Sequence, residues 1–144
     1  MKIQIKRINT SLPLPEYQTD GSVAFDLYSR VDMTIEPKTL GFIPTNLIVK
    51  IPEGFMLSVT PRSSTPPKKG LSSPHGIGIV DQDYHGEEDE IKLMLYNYTE
   101  SQVEIKKGER IGQACFVPIE RVEFEEVRKM TKNNRGGFGS TGNF

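Results

Sequence analysis

The chain has 144 residues, a formal net charge of -1 and 35% hydrophobic residues, the profile of one compact soluble domain. There is no basic excess to grip a phosphate backbone, so nucleic acid is not expected as a partner. No apolar run reaches the roughly 18 residues of a membrane span, and a single cysteine, Cys115, leaves no intrachain disulfide.

The N-terminal stretch MKIQIKRI alternates Ile3 and Ile5 with Lys2, Gln4 and Lys6. That is a half-buried strand and lacks the apolar run of a signal peptide. With the lone cysteine it points to a reducing, cytoplasmic setting. VAFDLYS (23–29) is an apolar strand with Asp26 inside it; a carboxylate there is costly to bury unless paired, so a partner is expected. FMLSVT (55–60) is a strand that runs into PRSS (61–64). A short helix has room only at 63–71, where Pro66 and Pro67 oppose it. GIV (78–80) is a strand ending in Asp81-Gln82-Asp83-Tyr84, whose two carboxylates fall on one side if the strand continues. Ile91, Leu93 and Leu95 point one way, and Lys92, Met94 and Tyr96 the other. Lys107-Gly108 divides two strand-like runs as a hairpin turn does, and Cys115 is expected as a buried core thiol. Val122, Phe124 and Glu126 alternate more raggedly with Glu123, Glu125 and Val127.

Ten prolines and thirteen glycines leave little room for long helices, and strands separated by frequent turns indicate a sandwich or barrel. The expectation is an all-β domain over 1–131 followed by a glycine-rich tail over 132–144 that cannot fold alone.

Several segments carry chemically useful groups, each with a plainer reading beside it. Gly137, Gly139 and Gly142 match GxGxxG, but only two residues follow, so the helix a dinucleotide site needs is missing. The tail is then either a linker or a lid offering amides, hydroxyls and an aromatic ring. Asp81 and Asp83 are either solvated turn residues or working carboxylates. Arg62 beside Ser63 and Ser64 is either a turn or a phosphate grip. His75 and His85 lack the ligand spacing of a zinc site.

In order, VAFDLYS, PRSS, GIVDQDYHG, KGERIGQ and RGGFGSTG resemble the five motifs of the trimeric dUTPase family. The resemblance runs from about residue 22 to 142. It implies a homotrimer of jelly-roll-like β domains with sites shared between subunits and a mobile C-terminal lid. It implies hydrolysis of dUTP to dUMP and diphosphate, with Asp81 as general base toward a water attacking the α-phosphorus. Mg²⁺ is the implied cofactor, with Asp26 holding it through water. Arg62, Ser63, Ser64 and Gln113 correspond to phosphate contacts. Gly78, Ile79 and Val80 would read uracil by their backbone, with Lys92 on the return strand. Tyr84 would pack under the deoxyribose. In the tail, Phe138 would stack on uracil and Arg135 would reach the γ-phosphate, with Gly139, Ser140 and Thr141 beside them.

The chain also departs from the family pattern. Glu87, Glu88 and Asp89 are three extra residues before the Glu90-Ile91-Lys92 strand start. His75 stands where asparagine is common, and Ala24 replaces a glycine. The tail is two residues shorter between its arginine and its phenylalanine. Two other readings compete: a dCTP deaminase-like enzyme of the same superfamily, which needs a glutamate at cytosine C4, and a non-catalytic nucleotide-binding switch protein.

Overall fold

A computed structural model describes residues 1–137. Its strands are β1 (Ile5–Arg7), β2 (Phe25–Tyr28), β3 (Met33–Ile35), β4 (Leu40–Pro44), β5 (Leu47–Val49), β6 (Phe55–Pro61), β7 (Leu71–Ser72), β8 (Gly78–Val80), β9 (Lys92–Asn97), β10 (Val103–Ile105) and β11 (Arg110–Pro118). The one helix among the described residues, α1 (Thr65–Lys69), is a single turn. Proline is tolerated in its first turn, where the backbone N–H needs no partner. Gly70 closes it in the left-handed conformation, its N–H bonded to the Pro66 carbonyl. No helix among the described residues is long and apolar enough to cross a membrane.

The strands form a jelly-roll-like, almost all-β domain. A four-stranded antiparallel sheet has the order β2-β11-β6-β8, a three-stranded one β4-β9-β7, and two ribbons pair β1 with β5 and β10 with β3. Period-two patterning packs the layers together. In β9, Leu93 and Leu95 are buried while Lys92 is exposed. They meet Leu27, Ile43, Leu57, Leu71, Ile105 and Ile111 in one core.

β11 contains a bulge. Arg110 lies opposite Tyr28, but the next pairs are Gly112 with Leu27 and Gln113 with Asp26. One extra residue in β11 therefore puts Arg110 and Gln113 on the same face as Tyr28 and Asp26. Only glycine fits at 112: a Cβ there would lie 2.7 Å from a Leu93 methyl and 3.0 Å from the Thr60 carbonyl.

Three expectations are corrected. Lys107-Gly108 does form a turn, with Gly108 at φ 81°, but β10 and β11 do not pair as a hairpin; they leave for different sheets. Residues 122–127 form no strand: Val122, Phe124 and Val127 are all exposed, because no neighbouring strand of the same chain lies against them. Cys115 is half-buried, since it faces outward between the buried Ala114 and the rest of β11.

Candidate functional site

Strand β6 organises two clusters, one at each end. Its C-terminal end meets β2 and β11. The register sets Thr60 opposite Gln113, and Gln113 opposite Asp26. Asp26 is 5% exposed. Arg62 Nε reaches one of its oxygens at 3.0 Å, and an Arg110 nitrogen reaches the other at 3.1 Å. The partner expected for this carboxylate is thus a pair of arginines, which offset its desolvation. Burial, reinforced by the charge of Asp26, raises the pKa of Tyr28 above the usual tyrosine value. The Gln113 amide donates to Thr60 Oγ1 at 3.4 Å. Just beyond β6, Ser63 is exposed and Ser64 half-buried; Ser64 precedes α1 without capping it through its side chain, so its hydroxyl is open to other acceptors. Arg62, Ser64, Lys68, Lys69 and Arg110 line a cavity of about 260 Å³ with Glu109 the acid among them. Such a wall suits phosphate oxygens.

The other end carries the second cluster. Val80 pairs with Leu57 and Gly78 with Val59, so the chain leaves β8 beside the N-terminal end of β6. Asp81 and Asp83 lie in the turn that follows β8, so they are not aligned along a strand as the alternation suggested. The turn is held by the Tyr84 N–H to the Asp81 carbonyl at 3.3 Å and by the Gln82 amide to the Phe55 carbonyl at 2.9 Å. Asp81 is exposed and has no ion pair among the described residues. Ile79, Val80, Asp81, Tyr84, Ile91 and Lys92 line one cleft of about 230 Å³. β8 and β9 meet there without pairing, so the expected return strand of a hairpin is instead a strand of another sheet. Because β8 is the last strand of its sheet, one edge of its backbone stays open to a ligand.

Of the remaining expected residues, Arg135 is exposed, in a stretch without regular structure. Phe138, Gly139, Ser140 and Thr141 lie outside the described residues. Arg110 lay beside the expected site residues without a role; its signal was proximity in sequence to Gln113, and the bulge supplies the contact. Arg30 and Glu90, described below, gave no sequence signal.

A metal finds limited support in the protein. Among the described residues no group of three or more His, Cys, Asp or Glu could cage an ion. Asp26 uses two acceptor positions on its arginines, while a carboxylate has about four. It fits water molecules around an ion held chiefly by phosphate oxygens, the usual habit of Mg²⁺.

Comparison with known proteins bears on the whole chain. A dUTPase family model matches residues 10–142. The deoxyuridine 5'-triphosphate nucleotidohydrolase of Nautilia profundicola is 40% identical over 99% of both chains, and that of Dictyoglomus turgidum is 38% identical over 99% of both. The dUTPase of Staphylococcus bacteriophage 80alpha, solved with dUPNHPP, superposes with a TM-score of 0.87 at 26% identity, covering 98% of each chain.

Proposed function

The chain belongs to the dUTPase family and is a dUTP-hydrolysing enzyme, and from that premise we propose how its residues divide the work. Asp81 is the general base. It is exposed, forms no ion pair among the described residues and lies at the rim of the cleft, where it can accept a hydrogen bond from a water aimed at the substrate. The water oxygen bonds to the α-phosphorus, the bond to the bridging oxygen breaks, and diphosphate leaves with dUMP behind. Positioning supplies much of the acceleration, because water is a poor nucleophile.

The open edge of β8 from Gly78 through Ile79 and Val80 would pair with uracil, with the Lys92 backbone across the cleft. Cytosine would leave a buried polar group unpaired, at a cost of about 1–3 kcal/mol. Tyr84 would form the sugar wall. Arg62, Ser63, Ser64 and Gln113 would hold phosphate oxygens. Mg²⁺, bound by the phosphates and through water by Asp26, would neutralise charge on them. Residues 132–144 would close as a lid, bringing Arg135 to the γ-phosphate and Phe138 to the base, with Gly139, Ser140 and Thr141 at the phosphates.

One observation carries the assembly. Asp81 emerges beside Met56, and Arg62 lies six residues farther along the same line. At roughly 3.3 Å per residue that is about 20 Å, far longer than a triphosphate. At that separation, a base and a phosphate grip drawn from different chains suit one nucleotide better than the pair within one chain. A homotrimer with each site drawn from neighbouring copies resolves this. The apolar side chains Val122, Phe124, Val127 and Met130, exposed among the described residues, are surface that such assembly would bury. A lone half-buried thiol suits a reducing, cytoplasmic compartment.

Diphosphate release should be measured with dUTP, dCTP, dTTP and UTP, with Mg²⁺ and with EDTA. Release from dUTP alone, lost on chelation, is expected. Ammonia from dCTP would overturn this mechanism in favour of a deaminase, and nucleotide binding without turnover in favour of a switch protein.

A further inference from the structure

Beside the cleft lies a partly buried ion pair to which the proposed chemistry assigns nothing. Glu90 is 5% exposed. Arg30 donates to it twice, from Nε to Oε1 and from a terminal nitrogen to Oε2, both at 2.8 Å. The Asn46 N–H adds a third bond to Oε1 at 2.8 Å. That hydrogen-bonded partner raises the Arg30 pKa above its usual value. Asn46 is itself fixed in the left-handed conformation, φ 70°. Its side-chain oxygen accepts from the Asn9 N–H at 2.6 Å, and its amide donates to the Asn9 carbonyl at 3.0 Å.

One hydrogen bond links this frame to a side chain of the cleft. The Tyr84 hydroxyl donates to the Glu90 carbonyl at 3.3 Å. Next to Glu90, the Ile91 carbonyl accepts from the Thr45 N–H at 3.0 Å and the Thr45 hydroxyl at 2.7 Å, so the backbone at 90–91 is tied on both sides. The preceding turn differs. Glu87, Glu88 and Asp89 are held by short-range bonds, Asp89 Oδ2 to the Gly86 N–H and the Glu90 N–H to the Glu88 carbonyl, and by an exposed Lys6–Glu87 ion pair.

We propose that Glu90, clamped by Arg30, is a positioning residue that fixes the Tyr84 ring as the sugar wall and so sets rejection of ribonucleotides. The inference rests on the reading of Tyr84 beneath the deoxyribose. The side chain of Glu90 never reaches the nucleotide; its backbone carbonyl sets where the phenol ring stops. With the clamp in place, motion of the acidic turn ends at Glu90. Without it, the carbonyl shifts, the ring swings outward and room opens for a 2′-hydroxyl.

The test is steady-state kinetics of the full chain on dUTP and UTP for wild type, Glu90→Gln, Arg30→Lys and Tyr84→Phe, with thermal melting as a fold check. Glu90→Gln keeps the shape but not the two-pronged ion pair. Its ratio of dUTP to UTP kcat/KM is expected to fall about tenfold, the size of one lost hydrogen bond to a charged group, with the gain on UTP appearing in KM. Arg30→Lys, which keeps the charge without the fork, should lose less. Tyr84→Phe removes the hydroxyl alone and should lower the ratio as Glu90→Gln does, the double variant adding nothing. A melting point lowered with the ratio unchanged in Glu90→Gln overturns the proposal in favour of a purely structural pair. If that variant does not fold, an unchanged ratio in Tyr84→Phe overturns it as well. Wild type inert toward dUTP would instead defeat the underlying mechanism, which sets the two failures apart.

Discussion

At one end of β6 the carboxylate of Asp26 is buried between Arg62 and Arg110; at the other, Asp81 stands exposed beyond β8 with no ion pair among the described residues. Two arginines clamp the buried carboxylate of Asp26 and fix it in place, which suits an electrostatic anchor. Asp81 has the opposite setting: exposed at the cleft, with no cation bound to it among the described residues, it is open to a water molecule. The same residue type is thus prepared for two tasks by its neighbours.

Removing the free carboxylate tests this difference most severely. Asp81→Asn should lower kcat on dUTP by roughly 10²–10⁴, the usual worth of a general base, while calorimetry still detects dUTP binding. Turnover near wild type would erase the contrast between the two ends. Next in size is truncation after Asn134, which removes the proposed lid; a loss of about 10² in kcat/KM is expected from misplaced reacting groups, with the proposed trimer intact by sedimentation. A truncated trimer of full activity would leave the clusters complete without the tail.

At the anchored end the expected signature is stability. Arg62→Ala leaves Asp26 with one of its two partners and should destabilise the fold by about 1.5–3 kcal/mol, read by chemical denaturation, besides weakening nucleotide binding. Asp81→Asn should leave the denaturation midpoint nearly unchanged; comparable destabilisation by both variants would contradict the assignment of anchor and base. The smallest effect belongs to Lys6→Ala. It breaks the exposed contact with Glu87 and should cost at most about 1 kcal/mol, with dUTP turnover unaltered.

The order of the five segments was legible in the chain, and so was the need of Asp26 for a partner, because a carboxylate among apolar strand residues is costly to bury alone; that the partners are Arg62 and Arg110 was not. The burial of Ile91, Leu93 and Leu95 followed from alternation alone. The distribution of the site over two ends of β6 was not legible, since it depends on which strands pair and in what register. The same limit explains β10 and β11: a turn such as Lys107-Gly108 reverses the chain, but partners elsewhere, β3 for one and β2 with β6 for the other, decide the pairing. Residues 122–127 show the converse, a strand-like pattern whose apolar side chains meet no covering strand among the described residues. The Arg30–Glu90 pair joins residues sixty apart and carries no local pattern at all.

The bulge in β11 has a consequence for how this chain tolerates change in length. Inserting one more residue between Arg110 and Gln113, with the bulge kept, would set those two side chains on opposite faces and send one of them into the core, exchanging an outward polar group for an apolar one. The acidic turn at 87–89 lies outside any ladder, so a change of length there moves no strand partner. Drift in chain length should therefore accumulate at the acidic turn and be purged from β11, whatever happens to the identities of the residues in either place.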